Sequence, residues 1–305
     1  MKIFITGGSG FVGMHLCRTY LQKGWQVAAT GTSAAHPLSG TENFTYIVAD
    51  TTEKGVWQDS VKDADAIVNL AGRNIFNFWT QEYKSQIYNS RILTTKNLVD
   101  SLDSGQHTTL LSASAAGYYG NREEDLLVES ENPGRDFLAR VCVEWETEAR
   151  KAEDKGARVA LMRFGVVMGQ GGGALAKMMP AFKFYVGGPL GSGMHWFPWL
   201  HIDDLAAATL FLLQKPDAVG AFNFCAPQTV RYKTFARLLG HRLKRPSFMK
   251  TPAFVLKLLA GEMGAAMLSS QRAVPAKLEE AGYSFHYPEL DPALGEIVSK
   301  VEGKR

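Results

Sequence analysis

The chain has 305 residues, 46% hydrophobic and 21% charged, and 33 Lys and Arg against 30 Asp and Glu leave a formal charge of +3. That length holds one large α/β domain or, as is expected here, a main domain with a smaller appendage, and a near-balanced charge whose one dense basic cluster, His241–Arg245, reads as a helix end gives no sign of a nucleic-acid footprint. Cys17, Cys142 and Cys225 are too few and too scattered for a disulfide framework or a metal cage, and no apolar run reaches the ~18 residues of a membrane span, so a cytoplasmic protein with no bound metal and no membrane partner is expected.

The first element is the short apolar run Lys2–Thr6, and it leads straight into Gly7-Gly8-Ser9-Gly10-Phe11-Val12-Gly13. With the first strand starting so close to Met1, no signal peptide is expected. Val12, Leu16 and Tyr20 then recur at helical spacing, Gly24 supplies a stop, and Trp25–Thr30 resumes as a strand. This is a βαβ unit with a dinucleotide cradle. Gly7 permits the tight turn, Gly10 lets backbone approach a pyrophosphate, and Gly13 lets helix and sheet pack closely. A helix starting near Gly10 or Phe11 points unpaired N–H groups and its positive end at the phosphates.

Phe44–Asp50 and Ala66–Leu70 read as buried strands. Thr80–Leu102 is a long helix with Ile87, Ile92, Leu93 and Leu98 on one stripe, followed by a strand at Thr108–Ser112, a helix over 137–154 and a sixth strand at Arg158–Arg163. Strict alternation predicts an α/β fold with a doubly wound parallel sheet, of the Rossmann type, and ligands beyond the strands' carboxyl ends. After about residue 165 the composition changes, and Gly169–Gly193 is rich in Gly and Pro around a Met-bearing helix, as in a loop closing over a substrate or in plain connectors. Later come a short strand from Ala221 and helices near 232–241, 252–261 and 275–281. The expected division is residues 1–165 as the nucleotide domain, with 202–225 returning to it, and 166–201 with 226–305 as a smaller C-terminal α/β substrate lobe.

The second strand bears on which nucleotide binds. No Asp or Glu occurs between Lys23 and Glu42, where an NAD-specific domain places a carboxylate on the ribose 2′-hydroxyl. Its absence, with Thr32, Ser33 and His36 as donors, favours NADP(H) over NAD(H). Asp50 and Thr51 fall near the adenine, unless Asp50 simply caps a helix.

These motifs, together with Asn69-Leu70-Ala71-Gly72, Ser112–Gly120, Arg163-Phe164-Gly165-Val166-Val167 and Trp199–Asp204, resemble the extended short-chain dehydrogenase/reductases, the NAD(P)-dependent epimerase/dehydratase group. Phe78-Trp79-Thr80, Gly187–Gly193, Arg245-Pro246 and Ser270-Gln271-Arg272 resemble an atypical branch of it. The resemblance spans essentially the whole chain. It implies a Rossmann lobe binding NADP(H) through Gly7–Gly13, Leu70, Ala71, Gly72, Arg163, Phe164 and Val166, with substrate contacts from the C-terminal lobe. It also implies a homodimer through the 80–102 and 137–154 helices.

The family's catalytic pair is YxxxK, in which lysine makes a phenol with a pKa of about 10 usable near neutrality. No tyrosine here has a lysine four residues on, and Phe137 and Val141 stand where the pair belongs. Two readings follow. In one, the protein is an epimerase-like oxidoreductase acting on an unknown small molecule, with Ser114 polarising a carbonyl and Tyr118 or Tyr119 donating the proton. In the other it is a non-catalytic NADP(H) sensor or scaffold. Lys84 and Arg91 share a helical face, either supplying charge or lying solvated. His195 and His201 lack metal-ligand spacing, Asp203 or Asp204 caps a helix over Leu205–Leu213, and Trp196, Phe197 and Trp199 wall the pocket or pack between lobes.

Overall fold

Period-two alternation along the central strands decides which helices cover which face. The computed structural model describes residues 1–105 and 107–302, the side chains of 301 and 302 excepted. Seven strands, β1 (Lys2–Thr6), β2 (Gln26–Gly31), β3 (Phe44–Val48), β4 (Ala66–Asn69), β5 (Thr109–Ala115), β6 (Arg158–Phe164) and β7 (Gly220–Phe224), form one parallel sheet in the order β7-β6-β5-β4-β1-β2-β3. Ile3, Ile5, Val27, Ala29, Val68 and Met162 point to one face. There they bury Leu16, Cys17 and Tyr20 of α1 (Phe11–Gln22) together with Leu205, Ala208 and Leu212 of a later helix, Ile202–Gln214. Phe4, Ile67, Leu110 and Leu161 point the other way, onto Leu98 and Val99 of α2 (Gln81–Asp100) and Ala149 of α3 (Phe137–Arg150). The predicted doubly wound parallel sheet is therefore the observed one.

α2 differs from its predicted stripe. Ile87 and Leu98 are buried, but Ile92 is only half-buried and Leu93 is 38% exposed. The inner face is partly polar: Asn97 donates to the carbonyls of Thr51 (3.1 Å) and Thr52 (2.8 Å), and Thr95 accepts from Trp145 (2.9 Å) and Asn69 (2.8 Å). Such a face satisfies loop carbonyls that an apolar stripe would leave unpaired.

A second apolar core forms beyond the sheet. It gathers Leu175 and Phe182 from α4 (Gly173–Lys183), Phe235 and Leu239 from a later helix, Tyr232–Arg242, and Leu294 and Ile297 from the C-terminal helix, Leu290–Glu302. Short strand pairs brace it: Val166–Met168 runs parallel to Trp199–His201, and Trp196–Phe197 pairs antiparallel with Val230–Arg231. Between them Gly165 allows a close approach, since a Cβ there would stand 2.9 Å from the carbonyl oxygen of Pro198.

In chain order the next helices are α5 (Ile202–Gln214), α6 (Tyr232–Arg242) and α7 (Ala253–Ala266). α5 starts three residues before the predicted Leu205, and its cap is His201, whose Nδ1 accepts from the Asp203 amide at 3.2 Å. Asp204 is fully buried and does other work. Its carboxylate accepts from the amides of His286 (2.7 Å) and Tyr287 (2.8 Å) and from the Tyr283 hydroxyl (3.1 Å), tying the C-terminal segment to α5.

Candidate functional site: a nucleotide cradle and its cleft

The strand order reverses between β1 and β4, and the Gly-rich turn sits at that reversal. Gly7 has φ +69°, and a Cβ on it would lie 3.1 Å from the backbone of Leu70 and Ala71. Thr6 holds that neighbouring loop in place: its hydroxyl accepts from the amides of Leu70 (3.0 Å) and Ala71 (3.1 Å) and donates to Asn69 (2.7 Å). A Cβ on Gly13 would stand 2.3 Å from the Gly7 carbonyl oxygen and 2.7 Å from the Gly8 Cα. Gly10 caps α1 with extended backbone, φ −75° and ψ 171°, no side chain caps the helix, and its first turn holds no acidic residue. This end of α1 is thus an open anion site with room for a diphosphate, and the residues present fit a dinucleotide.

From the cradle a largely apolar cleft of about 470 Å³ runs between the sheet edge and the second core. Phe11, Val12, Leu70, Gly72, Ser114, Phe164 and Val166 line it from the Rossmann side. Thr32 and Ser33 lie exposed at the end of β2. Ser9 packs against the same corner, since a Cβ on Gly31 would meet its Oγ at 2.3 Å. His36 is turned away from that role. It is buried, its Nε2 lies 3.3 Å from the Gly8 carbonyl, and its Nδ1 accepts from the Leu38 amide, so it buttresses the turn from behind. Asp50 accepts from the amide (2.9 Å) and hydroxyl (2.7 Å) of Thr52 in a local turn, and Thr51 is buried against Thr94.

The residues assigned to catalysis from the sequence separate in space. Ser114 lines the cleft, with its hydroxyl donating to Glu146 at 2.7 Å. Tyr119 does not line it. It is fully buried, donates to Asn223 (2.7 Å) and accepts from Arg163 (3.0 Å), and burial pushes its phenol up to about 12. Tyr118 lies under the Arg163 guanidinium, 3.5 Å from its ring centre, and is likewise absent from the cleft lining. Arg163, expected at the cofactor, is 3% exposed and forms a two-pronged ion pair with Glu146 at 2.8 and 2.9 Å. Its neighbours Phe164 and Val166 reach the cleft; the guanidinium does not. Alternating side chains along a strand point to opposite faces, and the sequence motif carried no mark of which face β6 turns inward.

Val141 lines the cleft and is 3% exposed. Phe137, at the start of α3, packs edge-on to Trp79 at 5.4 Å. Lys84 lies 4.8 Å over the Phe137 ring and pairs with Glu262 at 2.8 Å. Arg91 is not on a solvated face. It lines the cleft behind Gly72, donates to the carbonyls of Arg73 (3.1 Å) and Ile87 (2.9 Å), lies over Trp145, and has no carboxylate partner among the described residues.

His195, weighed from the sequence only as a metal ligand, is the cleft group that the sequence reading missed. It lines the cleft from the far side with its ring stacked on Tyr232 at 4.9 Å, and its Nε2 is buried with no hydrogen-bond partner among the described residues. Burial, reinforced by nearby Arg231, lowers it from 6.5 to about 4, so the imidazole is neutral near pH 7. Beside it Trp196 has the Arg231 (3.8 Å) and Arg272 (4.6 Å) guanidiniums over its ring and forms part of the wall. Cys142 also reaches the cleft, but burial pushes its thiol up to about 12, which removes it as a nucleophile.

Because His195 is charged in the unfolded chain below about 6.5 and neutral in the folded one down to about 4, the unfolded state takes up the proton first in that window. Stability is therefore present above about pH 6.5 and falls as the pH drops towards 4. His195→Gln is expected to flatten that decline, read as urea midpoints at about pH 7 and about pH 5. A residual slope remains from His201, which burial also lowers.

A doubly wound sheet with an open helix end at its switch point, facing a cleft closed by a second apolar core, defines a dinucleotide-binding α/β protein. The NAD dependent epimerase/dehydratase family matches residues 3–225, and a domain of unknown function (DUF1731) matches residues 251–297. The chain is 39% identical over 304 residues, covering 98% of itself and 87% of the relative, to a chloroplastic epimerase family protein SDR39U1 homolog of Arabidopsis thaliana. It is 37% identical to an epimerase family protein of Staphylococcus haemolyticus, covering 98% and 99% of the two chains. Human epimerase family protein SDR39U1, solved with NADPH, superposes with a TM-score of 0.86 at 29% identity, over 98% of this chain and 99% of that one. The chain belongs to the NAD dependent epimerase/dehydratase family, in the atypical extended short-chain dehydrogenase/reductase branch, and has its NAD(P)-binding Rossmann fold.

Proposed function

We propose that the protein binds NADP(H) in the Gly7–Gly13 cradle and uses it on a small molecule held in the cleft, as an epimerase-like oxidoreductase whose proton-handling group is not the family's tyrosine. The observation that carries this reading is the uncapped N-terminus of α1 opening directly into a cleft that has its own polar groups, Ser114, Arg91 and the unpartnered Nε2 of His195. The human relative solved with NADPH supports it.

The amides at the start of α1 hold the diphosphate, and the absence of a carboxylate between Lys23 and Glu42 leaves the end of β2 open to a 2′-phosphate, with Thr32 and Ser33 as donors. When bound, the nicotinamide supplies hydride transfer. Ser114, already oriented by Glu146, is placed to hold a substrate oxygen. His195, neutral and unpaired, donates or accepts a hydrogen bond at the opposite wall, and the apolar lining excludes water around it. Val141 and Phe137 contribute no proton.

NADPH is expected to bind at least about tenfold more tightly than NADH, since the 2′-phosphate gains charge-assisted bonds where NAD-specific domains place an acid. Titration of tryptophan fluorescence reads the ratio directly; an NADH preference would overturn it. His195→Ala is expected to leave NADPH affinity within about threefold and to lower turnover by about a hundredfold, the usual span of a proton-handling group. The check is loss of nicotinamide absorbance against a panel of carbonyl compounds and sugar nucleotides.

One observation favours the second reading, a cofactor sensor or scaffold: the positions of the catalytic tyrosine and lysine are both apolar, and the Ser114 hydroxyl is already committed to Glu146. Tight NADPH binding with no oxidation or reduction across the panel would decide for it.

A further inference from the structure

The mouth of the cleft adjoins an apolar surface that the enzyme reading does not use. Phe248 and Leu258 are each 77% exposed, as is Phe184, with Leu259 at 73% and Phe254 at 71%. These side chains lie on three adjoining segments. The strand-like stretch around Leu190 bridges to Thr251, the Thr251 amide donates to the Pro189 carbonyl at 3.0 Å, and the Gly191 amide donates to the Thr251 carbonyl at 2.8 Å. Tyr185 lies under the Arg245 guanidinium, 4.9 Å from its ring centre. Gly261, with φ +56°, interrupts α7, so that its first half carries Phe254, Leu258 and Leu259 while Met263 in its second half lines the cleft. A soluble chain rarely leaves so many large apolar side chains together in water without a partner.

The charge on the same segments is one-sided. Residues 183–191 and 244–261 hold Lys183, Lys244, Arg245, Lys250 and Lys257, and contain no Asp or Glu. All five are exposed, and none has an ion-pair partner among the described residues. Aromatic and leucine side chains flanked by unneutralised cations match the boundary between the headgroups and acyl chains of an anionic bilayer, where the apolar groups insert and the cations meet lipid phosphates. A second copy of this chain fits poorly, since a two-fold contact through this face would press like charges together. No helix among the described residues is long and apolar enough to span a membrane, and docking at the surface needs none. The expectation of no membrane partner rested on spanning segments alone.

We propose that this face, built from the first half of α7 with the 184–186 and 248–250 segments, docks on an anionic lipid surface and sets the cleft mouth at the lipid–water boundary. The experiment is co-sedimentation of the full chain with vesicles of phosphatidylcholine alone or with about one third phosphatidylglycerol. Binding to the anionic vesicles is expected to be about tenfold stronger or more, and to fall as salt is raised. Phe254→Ser with Leu258→Ser is expected to abolish binding to both vesicles. Lys250→Glu with Lys257→Glu is expected to remove the anionic preference. NADPH titration of each variant shows that it is folded, since none of these four residues lines the cleft. No vesicle binding by the folded wild-type chain would overturn the proposal, as would equal binding to both compositions. So would self-association abolished by Leu258→Ser, or capture by polyglutamate alone in place of vesicles.

Discussion

Gly10→Asp is expected to lose NADPH affinity by at least about a hundredfold while the protein stays folded. Gly10 is the N-cap of α1 in extended backbone that any residue adopts, and Asp is a favoured cap, worth a few tenths of a kcal/mol or more over Gly. A Cβ there stands 3.1 Å from the Gly7 carbonyl oxygen, a contact that small backbone movement relieves. The same carboxylate occupies the amides that a diphosphate needs. A unit charge about 4 Å from a phosphate costs about 4 kcal/mol at an effective dielectric of about 20. Gly13→Val is the contrasting variant, because its Cβ would meet the Gly7 carbonyl oxygen at 2.3 Å and the Gly8 Cα at 2.7 Å, both backbone atoms with nowhere to go. It is expected to lose stability along with binding, by about 1–3 kcal/mol or more. Fluorescence titration and urea denaturation of the two variants separate the effects, and wild-type affinity in Gly10→Asp would remove the cradle.

Arg163→Ala is expected to destabilise the fold by about 3–5 kcal/mol, the usual result of removing one partner from a buried ion pair. Glu146, 5% exposed, would keep its Ser114 hydrogen bond but lose both guanidinium contacts, and the Tyr119 hydroxyl and the Glu129 carbonyl would each lose a donor. Arg163→Lys is expected to recover only part of this, because a single ammonium cannot make the two-pronged pair. Urea unfolding monitored by circular dichroism measures the loss. NADPH affinity of the folded protein is expected to stay within about threefold, since the guanidinium does not reach the cleft. A stability close to wild type with affinity lost would return Arg163 to the cofactor.

Much of the Rossmann half was legible in the chain because its signals are local. The turn needs a positive φ at Gly7 and a bare Cα at Gly13 within seven consecutive residues, and the central strands are short apolar runs of four to seven. α2 was placed well but faced wrongly. Leu93 is exposed and Asn97 turned inward because the carbonyls of Thr51 and Thr52, far back in the chain, needed donors there. His36 was given a cofactor role from its donor chemistry and Arg163 from the family resemblance. Both are consumed by partners, Gly8 and Glu146, that only the folded arrangement brings near.

What the amino-acid order settled by itself was the parallel sheet, the cradle at its first turn, the missing carboxylate after β2 and the loss of the tyrosine–lysine pair. Each is a property of contiguous residues acting through backbone sterics, strand period or the plain absence of a side-chain type. Tertiary structure alone decided that His195 and Arg91 face the cleft, that Tyr119 does not, and that one half of α7 lies bare beside it. Burial, pairing and the resulting charge state are set by groups well separated along the chain, as with Arg163 and Glu146 or Tyr119 and Asn223, and no short stretch of sequence carries them.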